Sequence, residues 1–496
     1  MSESKKQILG QVGHFSTATI LTHLVTIIAV FLTRKFLGPL QMGIWAILQV
    51  ILTYTMYCSF GITYGIVQKV PFYRGKQEFD KANEIRDVVI SFSVLTTAMV
   101  SAGVIVFAFL ARHKLSGDIF LGLIFLAVII FLTRINNLLI TILRAYKEFA
   151  LAGRQMFLSA IVNAVLVALL AYSFRLYGFM LAICLSLVFN ICYMWFHFRF
   201  PIRWNLKLSL VKELLIYGAL LIAIDFCGST VLTADRVVIA KMLGLEAVGL
   251  YTIAQMAWTY AFTFPNSISI ISSTNLQEKF GHSEKIESLK NYVTKSTQAL
   301  SVVMPLVIGM IWILGPPLVG ILLPKFIGGI EALKLLILAS FFFALFTTLE
   351  QFLIAIKKQA MLLPLGLLWM VCAFLFNFIA VKLGYGIAGI GAAMTLTALI
   401  RFLVLYGISG SYLFSWQEGW THLFKILGTF IYFIILMVGL PKISFSTHVL
   451  INQIIVFFCF LLLYLPILLR LNAQLGIFPL LMNYLAAKFK FKTTPS

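Results

Sequence analysis

Apolar residues run along this chain in long blocks separated by short polar stretches. Blocks long enough to cross a bilayer as helices lie at about 14–33, 43–67, 88–111, 119–142, 156–174, 178–198 and 213–234, then 248–272, 296–314, 335–356, 361–381, 387–409, 423–440 and 449–469. The pattern predicts fourteen transmembrane spans in an all-α polytopic membrane protein. They must be helices, because a loop or open sheet edge in hydrocarbon leaves backbone N–H and C=O groups unpaired at a cost of several kcal/mol each. No connection exceeds 25 residues, so no catalytic domain fits outside the bilayer.

Composition sharpens this reading. Apolar residues make up 61% of the 496 and charged residues only 11%, where a soluble domain carries about 25% charged. The balance of 38 basic against 17 acidic residues, net +21, is a topology signal here and not a nucleic-acid signal. With the amino end inside, Lys and Arg concentrate on the cytoplasmic segments, which places both ends in the cytoplasm. Lys488-Phe489-Lys490-Phe491-Lys492 at the tail has the make-up of an interfacial anchor on anionic lipid. The six cysteines fall inside apolar runs, with no CxxC pair and no histidine at zinc-ligand spacing, so neither disulfide nor metal site is indicated.

An internal repeat organises the chain. Lys35 to Tyr54 aligns without gaps on Lys241 to Tyr260, and eight of twenty positions are identical, among them Gly38/Gly244, Gly43/Gly249 and Tyr54/Tyr260. The offset of 206 spans six helices. An even number makes both copies enter the membrane from the same side, predicting two parallel-related lobes with a cleft between them. The expected division is an N-terminal lobe at 1–206 (spans 1–6) and a C-terminal lobe at 207–412 (spans 7–12). An appended pair at 413–472 (spans 13 and 14) and a basic amphipathic tail at 473–496 complete it.

Polar residues inside spans mark where a membrane protein works, because lipid cannot solvate them. Span 1 carries Ser16, Thr19, His23, Thr26 and Thr33 on one helical stripe, and span 7 carries Asp225, Ser229, Thr233 and Arg236 on another; at the offset of 206, Thr19 maps to Asp225 and His23 to Ser229. Both stripes are expected to face the cleft. The hydroxyls could equally return hydrogen bonds to their own helix or join neighbouring helices. Asp225 is the stronger signal: a buried acid costs roughly 3 kcal/mol to insert, which points to ion coupling unless Arg236 or a lysine pairs with it. Span 4 carries Arg134, Asn137, Thr141 and Arg144 on its inner half, with Arg134 too deep to snorkel out. A guanidinium there fits phosphate by bidentate contact, or else pairs with Asp225 or Glu350. Glu350, in span 10, could couple an ion, or pair with Lys357 or Lys358 on the next turns.

These residues resemble the polysaccharide flippase family of the O-unit (Wzx) type, within the superfamily that also holds multidrug extruders and lipid II flippases. The likeness spans nearly the whole chain. It is carried by Arg34-Lys35-Phe36-Leu37-Gly38-Pro39 with Gly43, and by Leu143-Arg144 with Lys147 and Phe149. Further along, Asp235-Arg236 with Leu243-Gly244 and Ala247 to Tyr251, and Leu323-Pro324-Lys325-Phe326 with Gly329-Ile330 and Leu333, carry it too. The resemblance implies a flippase, not an enzyme, in the plasma (inner) membrane. It would turn an undecaprenyl-diphosphate-linked oligosaccharide from inner to outer leaflet by alternating access, for assembly into O-antigen, capsule or exopolysaccharide. The implied partners are that lipid-linked oligosaccharide, membrane lipids and the polysaccharide polymerase machinery, with no nucleic acid. No cofactor is implied beyond coupling to H+ or Na+. A multidrug extruder is the competing expectation within transport; a polysaccharide polymerase or ligase is disfavoured because there is no large loop to hold its catalytic groups.

Overall fold

The computed structural model describes residues 3–146, 148–199, 202–283, 285–443 and 448–475; most side chains before residue 25 and between 264 and 284 lie outside the description, as does the basic tail. Among the described residues the chain is α-helical throughout, with fourteen α-helices, and eleven helical stretches are long and apolar enough to cross a membrane.

Packing divides the chain into two compact units, Met1–Thr252 and Ile253–Ser496. The first holds α1 (Glu3–Thr55), α2 (Tyr64–Gly75), α3 (Phe79–Leu110), α4 (Gly117–Ala145), α5 (Phe149–Leu166), α6 (Tyr172–His197), α7 (Leu208–Met242) and the start of α8 (Leu245–Ser283). The second holds the rest of α8, then α9 (Glu287–Leu322), α10 (Ile330–Ala355), α11 (Leu362–Lys382), α12 (Gly386–Leu413), α13 (Trp416–Gly439) and α14 (Val449–Leu475). The packing boundary thus falls 46 residues beyond the repeat boundary at 206 and leaves α7 with the first unit, where it touches α1, α2 and α3.

Spans 1 and 2 share α1, and the break between them sits at Gly38, whose φ of +72° and ψ of 177° lie outside the helical region. A residue with Cβ would be strained there, and Pro39 next to it withholds an N–H, so Gly-Pro turns the chain without ending the helix for long. Span 2 itself is longer than one helix: it finishes α1, passes through a short 3-10 turn at Met56–Ser59 and continues into α2. Spans 5 and 6 are separated in the same way at Arg175, at φ +50° within α6.

Two glycines of the repeat meet across the first unit. A Cβ built on Gly43 would lie 1.8 Å from the carbonyl oxygen of Leu245, and one on Gly249 would lie 1.8 Å from that of Pro39. The contact is reciprocal: each copy's glycine admits the backbone of the other copy. Gly61 and Gly218 make a second such contact between the α1–α2 turn and α7. Where α2, α3 and α4 meet, Arg86 is buried with Asp87, donating to Asp87 Oδ1 from Nε at 2.9 Å and from Nη2 at 2.8 Å, and from Nη1 to Asn83 Oδ1 at 3.0 Å and Tyr146 Oη at 2.9 Å. The neighbours of Arg86 on α3, Ile85, Val88 and Val89, belong to an apolar cluster with Ile62, Ile66, Ile142 and Leu143.

In the second unit α10 is the central helix, with α9 and α12 packed on it. Its own Phe341, Phe342 and Phe346 are fully buried in that packing. Glu350 of α10 accepts from Arg401 of α12, whose guanidinium also sits 4.2 Å from the Phe346 ring centroid. The partner is Arg401 and not Lys357 or Lys358, because α12 brings its cation to the α10 face that Glu350 occupies. α13 and α14 pack on α9, fixed by Thr429 donating to the Ser301 carbonyl at 3.2 Å and Tyr464 donating to that of Val302 at 3.1 Å.

Two stability predictions follow from these contacts. Gly43→Ala and Gly249→Ala must each push backbone apart, at a cost of about 1–3 kcal/mol or more. Gly228→Ala, with nothing within 4 Å, leaves stability unchanged or improves it; thermal unfolding of the purified variants reads the difference. Arg401→Gln leaves Glu350 without its cation and costs about 1–3 kcal/mol, while the Arg401→Gln, Glu350→Gln pair costs less than the two single changes added, as a double-mutant cycle will show.

Candidate functional site

The polar face of α7 does not stand free in the first unit. Tyrosines from the end of α1 and the start of α2 reach it in order along the helix. Tyr54 Oη lies 2.9 Å from Thr233 Oγ1 and 3.3 Å from Thr230 Oγ1. Tyr57 Oη lies 2.5 Å from Ser229 Oγ and 3.0 Å from the Asp225 carbonyl oxygen. Tyr64 donates to the Asp225 carboxylate itself. Phe226 packs between the rings of Tyr54 and Tyr57. A phenol is suited to this task because its ring contacts apolar neighbours while its hydroxyl meets the polar stripe. Asp225 is therefore hydrogen-bonded by a neutral donor, with no ion pair among the described residues, and its side chain remains exposed.

Arg236, at the far end of the same stripe, turns to its own helix. Its guanidinium donates to the Leu232 carbonyl at 3.2 Å, and its backbone N–H donates to Asp235 Oδ1 at 2.7 Å. It lies beside the buried Asp235 and is not the partner of Asp225.

Arg134 of α4 is 8% exposed, and its Nη2 has no hydrogen-bond partner among the described residues. No carboxylate pairs with it there either: Asp225 is held by Tyr64 and Glu350 by Arg401. Asn137, one turn along α4 and exposed, points its amide at the Met56 sulfur 4.0 Å away, while Thr141 donates to the Asn137 carbonyl at 2.8 Å. The α4 stripe therefore faces the 3-10 turn at Met56–Ser59, the same segment whose Tyr57 holds α7. A cation that is desolvated and unpaired in this way is electrostatically prepared for an anion.

Thr26 is brought elsewhere, to a cavity among α1, α4, α5 and α6 that also takes in Asn136, Gln155 and Asn190. Of these three amides only Gln155 carries a sequence signal, a stripe with Ser159 and Asn163 at four-residue spacing on α5, as regular as the one on α7. The side chains of Thr19 and His23 lie outside the described residues, as do Lys147 and the side chain of Phe149. Among the described residues no group of three His, Cys, Asp or Glu side chains converges as metal ligands would.

Comparison with known proteins places this architecture. The inward-facing form of a multidrug resistance MATE family transporter of the MOP superfamily matches at 16% identity, with 78% of this chain and 94% of that chain covered and a TM-score of 0.67. The lipid II flippase MurJ in an inward closed conformation matches at 14% identity over 92% of this chain and 99% of that one, with a TM-score of 0.65. A MOP superfamily transporter from Pyrococcus furiosus, described as having reverse polarity of its binding pocket, matches at 16% identity over 80% and 94% of the two chains, with a TM-score of 0.56. At such identities these likenesses establish a shared fold and nothing beyond it. No curated protein sequence matches the chain. A family model described as polysaccharide biosynthesis protein matches residues 31–325, more than half of the length, and the chain belongs to that family.

Proposed function

We propose that this protein is a flippase for a polyprenyl-diphosphate-linked oligosaccharide, moving it from the inner to the outer leaflet of the plasma (inner) membrane by alternating access, with both chain ends in the cytoplasm. The observation that carries this reading is Arg134: a buried guanidinium with an unpartnered Nη2 and no carboxylate beside it, in a chain of the polysaccharide biosynthesis family. Its ligand is the diphosphate, which has the charge and planar oxygen pairs that a guanidinium matches.

The energetics of the cargo make such a protein necessary. Sugar hydroxyls and above all the diphosphate lose several kcal/mol each when they leave water unpaired, so an unaided flip is negligible. The lipid tail has the opposite preference, at roughly 0.8 kcal/mol per CH₂, and stays in the bilayer while the head group passes. Asn137 lies one turn and Thr141 two turns along α4 from Arg134; both would meet the first sugars, and polymerase machinery would consume the product outside.

Asp225 supplies the coupling. Held by Tyr64 and open to exchange, its carboxylate takes up H+ or Na+ to reset the cycle, and its charge state would alter the tyrosine contacts along α7. Glu350, already neutralised by Arg401, is the weaker candidate for that role.

Two experiments test the reading. Arg134→Ala, produced at parental levels in cells that depend on this gene for surface polysaccharide, lowers export by about 10- to 100-fold, the loss expected for a charged hydrogen-bond partner; undiminished export removes the role assigned to it. Asp225→Asn transports without the parent's ion dependence, and a variant that keeps the same response to the H+ or Na+ gradient removes the coupling role.

A further inference from the structure

A second polar feature of the first unit is untouched by this mechanism. α5 carries Gln155, Ser159 and Asn163 on one face. That face borders a cavity of about 260 Å³, which α1 reaches through Thr26, α4 through Asn136 and α6 through Asn190. Gln155, Asn190 and Asn136 are 3%, 4% and 8% exposed, and the amide oxygen of each has no hydrogen-bond partner among the described residues. The Asn190 nitrogen donates to Ser159 Oγ at 2.8 Å, which turns its oxygen away from that contact. Buried amide oxygens are almost always satisfied in folded proteins. Three around one hollow call for hydrogen-bond donors to occupy it, water or the hydroxyls of a guest that displaces it.

Charge and size select the donor. Among the described residues that line the cavity none is ionisable, so none of them neutralises a charged guest. The unsatisfied atoms are acceptors, to which an ionised phosphate or carboxylate has no proton to give. A metal ion needs its oxygens drawn in to about 2.0–2.6 Å around one point, whereas this volume equals that of roughly eight or nine liquid waters at about 30 Å³ each. It lies just below the 300–1,000 Å³ range of pockets for small organic ligands, the size of a single ring. Met156 adds an apolar wall against which ring C–H groups can pack.

We infer that this cavity is a subsite for one neutral polyhydroxylated ring, an uncharged sugar residue. Its hydroxyls donate to Asn136 Oδ1, Gln155 Oε1 and Asn190 Oδ1 and accept from the Asn163 amide. The inference deepens the proposed function and rests on it for the choice of a sugar, but binding here is independent of transport. A site built to pair hydroxyls discriminates strongly against rings that lack them, so this subsite would also select which neutral sugar is handled.

The test is saturation-transfer NMR on the purified full-length protein in nanodiscs, with a panel of uncharged monosaccharides (glucose, galactose, mannose, rhamnose, fucose and the two common N-acetylhexosamines), glucuronate, and the ²³Na line width measured in parallel. At least one neutral sugar gives a signal above empty nanodiscs. Gln155→Leu, and Ala160→Phe, which fills the cavity without touching the amides, weaken it by about tenfold or more, and Ser411→Ala on the exposed face of α12 does not. Unchanged melting temperatures show that the variants fold; should Gln155→Leu fail that check, the half-buried Asn163→Ala replaces it. Absence of signal from every neutral sugar, an equal signal in the cavity variants, or a preference for glucuronate overturns the inference, as does Na⁺ broadening that only the cavity variants abolish. If the sugar binds here and the protein moves no lipid-linked oligosaccharide, the transport reading fails and this one stands.

Discussion

A polar group inside a bilayer has no water to fall back on, and the arrangement of this protein is largely the record of how each such group finds a partner. Backbone amides are settled by helix formation. Side chains need a neighbour. The hydroxyls of α7 and the Asp225 carboxylate receive three tyrosines from the α1–α2 segment, Glu350 receives Arg401, and Arg86 receives Asp87, Asn83 and Tyr146. Several buried groups among the described residues find none, and two sets of them bear on the proposal. Arg134 keeps an unpartnered Nη2, and the Asn136, Gln155 and Asn190 oxygens face a cavity.

These two sets of unsatisfied atoms have opposite character. One is a cation, suited to a doubly charged head group. The other is a set of neutral acceptors, suited to hydroxyls. The proposed cargo, a lipid-linked oligosaccharide, would carry both chemistries at once, a diphosphate followed by sugar. A fold shared with a multidrug resistance transporter does not by itself identify a cargo; under the proposal the unpaired side chains do.

Much of the fold is legible in the sequence. The apolar blocks locate the helices, and Gly38-Pro39 locates the break within α1, because hydrocarbon permits only helices and glycine permits the turn. The repeat picks out Gly43 and Gly249, and their matched positions turn out to be the two halves of one backbone contact. Periodicity also identified the α7 and α4 faces as polar. It could not name their neighbours: that Tyr54, Tyr57 and Tyr64 would cover Asp225 to Thr233 depends on how the turn at Met56–Ser59 aims three residues that look like ordinary interfacial aromatics. Arg401 was overlooked for Glu350 because the two are 51 residues apart and meet only when α10 and α12 pack. The α5 amides were overlooked because an uncharged residue in an apolar span is a weak signal until burial and a missing partner are both known.

The central claim is tested most directly by reconstituting the purified protein into liposomes that carry a polyprenyl-diphosphate oligosaccharide, and measuring how much of the sugar becomes accessible to an impermeant glycosidase outside. On this account, accessibility rises with time from the half presented by the outer leaflet toward the whole, only in vesicles that contain the protein and faster under an ion gradient. Accessibility that stays at the protein-free level, in vesicles whose protein is folded and correctly inserted, would contradict it.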